Sequence, residues 1–521
     1  MFKKRQKNKA AIKQLIGAKV PNSYNGTAEN QFSNILFCPL NGTVMNLVRE
    51  GIMGISCQLR GAHVQALYLN SSLPNSEFYK TNAEKFIYLK KVKNNIKYCK
   101  QLGIEPVRTS DFEKRISRTK ESLDEKTISK FEYKGVLIGD LVVASTVRAF
   151  LCNGPEWDNP DFKATAERVL NSAIYLIDLY DQILEDIKPD KLVMSHGIYI
   201  TWGTLFRLAR KKGIAVDVYG SSYRKNSLRF YHNAPNAPFP PGYWSEFENI
   251  TLNEKENKIL DDYIEGRETQ KDDNISLFDE KTEIPEQVRT FVESNKDKKL
   301  FCLFTNISWD AFAFATGDTF ASMLEWVEET INYFNDRSDA ALIIKAHPAE
   351  IYHKTPEKYR VRTFMADKKL NNNILFIRED EQVKPFWLYD KIDVGLIHIS
   401  TVAIEMALKQ IPVLTSGAKG HYSDKGFTID PNNKKEYFNN LTELCEGSLK
   451  FSPDIEAARK YMFFRFFREA LAFDLIELEN LSTIKSLKIQ DYKDLEPGKN
   501  QTLDIICEGI LNNGKFVANY G

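Results

Sequence analysis

The chain has 521 residues, too many for one ordinary core, so two or three domains are expected. Its 43% hydrophobic and 27% charged residues are typical of a globular protein, and a formal net charge of +1 provides no global field to recruit nucleic acid. Seven scattered cysteines without a C-x-x-C motif favour a reducing cytoplasm over a disulfide framework. No apolar run reaches the roughly 18 residues that span a bilayer, and the first residues lack the apolar core of a signal peptide.

Residues 1–33 are basic and then polar, which predicts a partly disordered tail. A solvated tail is the favoured interpretation. The alternative is a peripheral contact with the anionic inner-membrane surface, made by Lys3, Lys4, Arg5, Lys7 and Lys9. The predicted location is therefore cytoplasmic, with membrane association as the alternative.

Alternating strand and helix patterns predict a Rossmann-like domain over residues 34–266. It lacks a G-x-G-x-x-G motif, so a dinucleotide cofactor is not indicated. The predicted elements are strands at Asn34–Leu40, Val64–Leu69, Val136–Ala144, Lys191–Ser195 and Ile214–Tyr219, helices at Thr43–Arg60, Lys163–Ile187 and Trp202–Lys212, and a long loop at Gly220–Tyr243.

His196 and Gly197 directly follow the strand Lys191–Ser195, at the edge where open α/β sheets bind ligands. His196 is therefore a candidate catalytic residue, acting as a general base or as a contact to the acceptor. A histidine that only caps a helix or binds a loop is an equally open interpretation. Asp217 and Glu246 are the other candidates for the base.

A charged stretch poor in large apolar residues predicts an interdomain linker at residues 267–298, centred on 267–283. A second domain is expected over residues 299–455 and a helical segment over residues 456–521. The predicted elements are strands at Lys299–Thr305 and Asn373–Ile377 and helices at Thr319–Asn335, Lys434–Glu446 and Ile455–Leu481.

Three short branched apolar runs in the second domain are typical of buried parallel strands. They are Ala341–Ile344, Val394–Ile397 and Ile411–Leu414, and Thr401–Lys409 between the last two has helical spacing. His347, Ser400 and Gly417 each come just after one of these strands, at the carboxyl edge.

This edge suits a phosphate. Ser400 stands at a predicted helix N-cap, where free backbone N–H groups and the helix dipole attract an anion. Lys345 and His347 can add charge and a hydrogen-bond donor. Glu405, one turn below Thr401, is placed to accept ribose hydroxyls, and a solvent-facing glutamate is the alternative.

The His347-Pro348 pair, followed by Ser400 and then Glu405, resembles the bacterial capsule polysaccharide synthesis family. That family includes Kdo transferases with CMP-activated donors, and bacterial sialyltransferases have similar motifs. His398 stands where the family usually has glutamine. The resemblance implies a GT-B fold, with two Rossmann-like domains facing a central cleft and a C-terminal helix returning to the N-terminal domain. Together with the residues of this edge, it predicts the donor-binding residues Lys345, His347, Pro348, His398, Ser400, Thr401, Glu405, Gly417 and Tyr422.

The expected function is transfer of a sugar from a nucleotide-activated donor, most plausibly CMP-linked, to a surface polysaccharide or glycolipid. No resident cofactor is expected, because the nucleotide sugar is a substrate, and no metal, because the histidine spacings match no zinc pattern. The alternatives are a CDP-glycerol or CDP-ribitol phosphotransferase, an isomerase similar to UDP-sugar 2-epimerases, and a non-catalytic polysaccharide-assembly protein.

The run YMFFRFFREALAF near the C-terminus has two interpretations. Its phenylalanines can pack in a core, which is favoured, or lie at a lipid surface with Arg465 and Arg468 beside them.

Overall fold

The computed structural model describes residues 2–21, 30–71, 73–79, 81–116, 120–236, 240, 242–267, 283–311, 319–417, 420, 422–480 and 482–520. Its strands, numbered along the chain, are β1 (Asn34–Leu40), β2 (His63–Tyr68), β3 (Glu105–Arg108), β4 (Glu132–Tyr133), β5 (Val136–Leu137), β6 (Lys191–Ser195), β7 (Ala215–Ser221), β8 (Ser227–His232), β9 (Lys299–Phe304), β10 (Ala340–Lys345), β11 (Ile374–Ile377), β12 (Val394–Ile397), β13 (Val413–Thr415), β14 (Leu471–Ala472), β15 (Ile476–Asn480) and β16 (Thr483–Leu487).

The α-helices are numbered in the same way. They are α1 (Phe2–Gly17), α2 (Val44–Leu59), α3 (Asn82–Gln101), α4 (Gly139–Phe150), α5 (Pro160–Ile187), α6 (Thr204–Lys211), α7 (Trp244–Phe247), α8 (Glu254–Arg267), α9 (Glu286–Ser294), α10 (Ser308–Ala311), α11 (Met323–Asn335), α12 (Ala349–Tyr352), α13 (Val361–Ala366), α14 (Pro385–Tyr389), α15 (Val402–Leu408), α16 (Lys434–Glu446), α17 (Ile455–Phe463) and α18 (Gln501–Asn512). None of these described helices is long and apolar enough to cross a membrane.

The chain divides into two compact units. The first contains residues 1–150, 155–242 and 466–520, and the second contains residues 151–154 and 243–465. The C-terminal part of the chain therefore belongs to the first unit, as the resemblance implied. Residues 268–282 of the predicted linker lie outside the described residues, and residues 286–294 form helix α9, so the linker stays a prediction.

The first unit is built on a sheet with the strand order β14-β8-β7-β6-β1-β2-β3. Strand β1 pairs in parallel with β2 on one side and with β6 on the other. The next strands along the chain continue outward on each side, so the strand order reverses between β1 and β6. Loops that leave a sheet at such a reversal diverge and leave a crevice at the carboxyl edge.

The second unit has a parallel sheet with the order β11-β10-β9-β12-β13. Strand β9 is central and pairs with β10 and β12, so the order reverses between β9 and β12. One side of this sheet packs against a core around the fully buried Trp326, Phe334 and Tyr437. The two sheets confirm the predicted mixed α/β fold with two Rossmann-like sheets.

Two predicted elements of the first unit were wrong. Val136–Ala144 is not one strand, because only Val136–Leu137 is extended and α4 begins at Gly139. Helix α4 is buried on several faces, and a helix without a polar side reads like a buried strand. The predicted loop Gly220–Tyr243 contains β8, which pairs antiparallel with β7 and buries Leu228 and Phe230.

The ends of the chain also differ from the prediction. Residues 2–17 form helix α1, and its Ala11, Ile12 and Leu15 are buried, so this part of the tail is not disordered. The helix predicted for Ile455–Leu481 ends at Phe463 and continues into a π-helical turn and then strands β14 and β15.

The phenylalanine run next to this turn is buried. Phe463, Phe464, Phe466 and Phe467 have relative exposures of at most 4%, and Arg465 has 1%. Core packing is therefore confirmed for this run, and the lipid-facing alternative is wrong.

Candidate functional site

The end of β9 ties together the loops that follow its two neighbouring strands. The Thr305 hydroxyl accepts a hydrogen bond from the His347 N–H group (3.1 Å). The Asn306 side chain accepts from the Ile399 N–H group (3.1 Å) and donates to the Ile399 carbonyl (2.5 Å). These bonds hold the β10 and β12 loops in one arrangement at the strand-order reversal, where a ligand is expected.

His347 is a neutral hydrogen-bond donor at this edge. Its Nδ1 accepts a hydrogen bond from the Ala349 N–H group (3.1 Å), so the ring proton of the neutral form is on Nε2. Burial, followed by the electrostatic effects of Lys345 and His353, lowers the pKa of His347 to about 4. The half-buried ring can therefore donate from Nε2 near neutral pH without carrying a positive charge.

Lys345 supplies the charge at the end of β10. Its side chain is 3% exposed, and burial lowers its pKa to about 8. The group thus remains largely protonated at pH 7. A buried cation two residues before His347 favours an anionic ligand at this edge. Pro348 follows as the N-cap of the short helix α12.

His398, the first residue after β12, is almost fully buried at 3% exposure. Its Nδ1 lies 2.7 Å from the Ser416 hydroxyl, and its ring stacks on Trp326 with a centroid distance of 5.9 Å. Burial lowers the pKa of His398 to about 4, so the ring is neutral at pH 7. Its Nε2 has no hydrogen-bond partner among the described residues.

Ser400 is not the N-cap residue that the sequence predicted. Helix α15 begins one residue later than expected, so its N-cap is Thr401, whose side chain makes no capping hydrogen bond. The Ser400 N–H group donates to the Tyr422 hydroxyl (2.9 Å). Since Tyr422 is fully buried, this contact makes it a support of the Ser400 loop rather than a surface for a base or sugar.

Gly417 has a φ of +83°, and a Cβ there would meet the Thr319 hydroxyl at 2.3 Å, so the position requires glycine. Much of the predicted Gly417–Tyr422 ligand loop lies outside the described residues, and its role stays a prediction.

Glu405 has both carboxylate oxygens engaged. Oε2 accepts a hydrogen bond from the Tyr389 hydroxyl (2.8 Å), and Oε1 accepts from Arg267 Nε (3.1 Å). The side chain is only 6% exposed. These contacts favour a structural role in the second unit over the predicted ribose contact.

His196 lies at the strand-order reversal of the first unit. Its backbone is left-handed, with a φ of +64°, as is that of Gly197 with a φ of +68°. The carbonyl of His196 accepts from the Asn236 N–H group (2.9 Å), and its N–H group donates to the Tyr219 carbonyl (3.2 Å). Left-handed backbone costs energy for a non-glycine residue and clusters at functional sites. The exposed ring of His196 thus sits on a strained, well-tied loop.

The His196 ring is in a crowded and cationic environment although part of it reaches solvent. Surrounding protein atoms, followed by Arg229, Arg148 and Arg49, lower its pKa to about 4. A neutral histidine beside three guanidinium groups suits contact with an anionic group better than proton abstraction at neutral pH. The sequence analysis missed these arginines, because they come from β8, α4 and α2 and have no common spacing.

Asp217 and Glu246 do not join His196. Asp217 is 1% exposed in the body of β7, with Oδ2 3.1 Å from Lys191 Nζ and Oδ1 2.6 Å from His232 Nδ1. This buried ion-pair network favours a structural role. Glu246 is exposed on the short helix α7 and belongs to the second unit, not to the predicted acceptor domain.

The fold thus defines a mixed α/β protein with two Rossmann-like sheets. No protein-family model matches the chain, and no curated protein matches it. Among solved structures, the β-Kdo 2,4-transferase KpsC of Thermosulfurimonas dismutans is 13% identical with a TM-score of 0.32, and the match covers 52% of this chain and 79% of that one. The UDP-GlcNAc 2-epimerase of Neisseria meningitidis is 11% identical with a TM-score of 0.25, covering 82% and 97%.

The UDP-GlcNAc 2-epimerase of Methanocaldococcus jannaschii is 12% identical with a TM-score of 0.26 and the same coverage of 82% and 97%. The similar structures therefore include both sugar transferases and sugar epimerases. At these identities and TM-scores, the likeness carries no argument about the reaction of this protein.

Proposed function

We propose that this protein is a glycosyltransferase that takes a sugar from a CMP-linked donor. The observation that carries the proposal is the edge of the second sheet. There the Nε2–H donor of His347 lies on a loop that Thr305 holds in place, two residues after the buried cation of Lys345 at the end of β10. A neutral donor and a buried cation on a fixed frame are what a leaving nucleotide phosphate requires.

In the proposed reaction the acceptor hydroxyl oxygen forms a bond to the anomeric carbon of the donor. The bond from that carbon to the phosphate oxygen breaks, the nucleotide leaves with the bonding electron pair, and the proton of the acceptor hydroxyl passes to water. Negative charge grows on the phosphate as it leaves, so His347 and Lys345 would bind the transition state more tightly than the donor. Because protein groups would hold this charge, transfer is expected to persist in EDTA.

Ser400 would contribute less directly than the sequence suggested. Strand β9 lies between β10 and β12, and neighbouring strands are about 4.8 Å apart, so the His347 and Ser400 loops leave the sheet about 10 Å apart. A nucleotide is long enough to reach both loops. We therefore assign the phosphate to His347 and the nucleoside side to the Ser400 loop.

The first unit would bind the acceptor at His196. The exposed ring, the left-handed loop and the three nearby arginines support a contact to an acceptor that carries a carboxylate or phosphate. A surface polysaccharide or glycolipid with acidic groups fits this environment.

Calorimetry with CMP, CDP and UDP tests the proposal directly. Binding of CMP that is lost in His347→Ala and retained in His63→Ala is the expected result, because His63 is an exposed histidine at the amino end of β2. Preference for UDP would favour the epimerase alternative, preference for CDP the phosphotransferase alternative, and no binding a non-catalytic role. In a transfer assay, His196→Ala should lower turnover and leave nucleotide affinity unchanged.

A further inference from the structure

Helix α3 carries an unusual surface stripe. The stripe consists of five residues spaced alternately four and three apart, so that they lie on one helical face: Phe86, Lys90, Lys93, Lys97 and Lys100. All five are exposed. One aromatic side chain followed by four lysines therefore runs along roughly 20 Å of helix.

The apolar end of the stripe is the most exposed apolar surface in the described part of the chain. Phe86 is 70% exposed and the adjacent Ile87 is 54% exposed, whereas the other exposed large hydrophobic residues there reach at most 47%. Two neighbouring solvent-exposed apolar side chains next to lysines are typical of a surface that binds a membrane or a protein partner.

The rest of the helix is firmly placed, so the stripe is a fixed surface. Tyr88, Val92, Asn95 and Cys99 are buried on the opposite side. At the N-terminus the Thr81 hydroxyl accepts from the Glu84 N–H group (3.2 Å), and the Glu84 carboxylate accepts from the Thr81 N–H group (3.1 Å). The single acidic residue of the helix is thus committed to its capping box and does not offset the lysines.

We propose that this face of α3 docks on an anionic lipid surface, with the lysines against headgroups and Phe86 and Ile87 in the interfacial layer. Charge complementarity selects the partner, because a row of cations at one depth matches a plane of anionic headgroups. An apolar anchor at one end adds a contact that a nucleic acid backbone would not supply.

The proposal places the membrane contact on α3 and not on the N-terminal cations, for which the sequence analysis gave it as an alternative. Lys7 is ion-paired with Glu479 (2.8 Å), and Lys4 donates to the Ser482 hydroxyl (2.6 Å), so two of the tail cations already bind the first unit. The inference does not depend on the proposed transferase activity.

Cosedimentation of the full chain with lipid vesicles tests it. The protein should bind vesicles of phosphatidylcholine and phosphatidylglycerol, and not phosphatidylcholine alone. The triple variant Lys90→Gln/Lys93→Gln/Lys97→Gln should bind about a hundredfold more weakly, because each lysine near the surface contributes about fivefold to vesicle affinity at low ionic strength. Phe86→Ser should weaken binding about tenfold.

The matched control is Lys391→Gln/Lys435→Gln/Lys450→Gln, which removes the same charge from exposed positions of the second unit and should bind vesicles like the parent. Unchanged binding of the α3 triple variant, equal loss in both triple variants, or unchanged binding of Phe86→Ser would overturn the proposal. Lysine-dependent binding to polyuridylic acid without vesicle binding would overturn it in favour of RNA. Circular dichroism checks that each variant is folded.

Discussion

Two histidines hold equivalent positions in the two units but have opposite environments. In each sheet the first strand of the unit is an interior strand, and the strand order reverses beside it. His196 after β6 therefore corresponds to His398 after β12. His196 is exposed on left-handed backbone, and His398 is 3% exposed and stacked on Trp326. Topology therefore sets where a ligand can bind, and the surrounding side chains decide whether the strand-end residue meets it.

The edges differ in their charge as well. At the first sheet, arginines from three elements act electrostatically on His196, which suits a ligand that brings its own negative charge. At the second sheet, hydrogen bonds from Thr305 and Asn306 fix the loops, and the cation Lys345 is buried beneath them. We interpret the first edge as selecting an acidic acceptor and the second as a preorganised site for a leaving group.

The largest expected effect is the loss of stability on replacing Asp217, and it distinguishes a structural from a catalytic role of this residue. Asp217→Ala leaves the buried Lys191 without its ion-pair partner, so it should lower the free energy of unfolding by about 3–5 kcal/mol in chemical denaturation. The double variant Lys191→Met/Asp217→Leu should recover most of this loss. A stable Asp217→Ala protein that has lost turnover would instead return Asp217 to the His196 edge as a base.

His347→Ala probes the second edge. Removing its Nε2–H donor should raise the donor KM and lower kcat together, with a loss in kcat of about 10²–10³, since the donor acts most strongly on the leaving phosphate. Steady-state kinetics with a CMP-linked sugar measures this. The same loss in His63→Ala, or no loss in His347→Ala, would break the contrast drawn between the two edges.

Glu405→Gln distinguishes a structural from a ligand-binding carboxylate. Because Glu405 accepts hydrogen bonds from Arg267 and Tyr389, the variant should lower the free energy of unfolding by about 1.5–3 kcal/mol and leave nucleotide affinity unchanged. Tyr389→Phe is the control and should give a smaller loss. Weaker CMP binding at unchanged stability would support the original ribose assignment.

Acid should reveal the burial of His398. Its folded pKa of about 4 lies below the unfolded value of 6.5, so the folded state binds fewer protons, and the stability present above pH 6.5 is lost as the pH falls toward 4. Between pH 7 and pH 5 this loss should be about 2 kcal/mol. Denaturation curves for His398→Gln should show a weaker pH dependence over that interval, and identical slopes would contradict a buried neutral histidine.

Local pattern was sufficient where an element is decided by its own residues. Four elements have the predicted bounds: the strands Asn34–Leu40, Lys191–Ser195 and Val394–Ile397 and the helix Lys434–Glu446. The strands are short branched runs between polar residues, and the helix is a periodic segment that follows an asparagine N-cap, so each suits one conformation. Helix α4 and strand β8 were missed since their burial comes from partners distant in sequence. Helix α1 was predicted to be a solvated tail for the same reason, because the residues that bury its apolar side chains are distant in sequence.

The sequence by itself determined that polar residues follow the strands of two α/β sheets, because strand period and chain order place His196, His347 and His398 at carboxyl edges. Only the tertiary structure decided what each residue does there. Whether a carboxylate such as Glu405 or Asp217 is open depends on cations and hydroxyls from other elements, and whether a histidine is exposed depends on neighbours such as Trp326. Those contacts join positions far apart in the chain, and no local spacing encodes them.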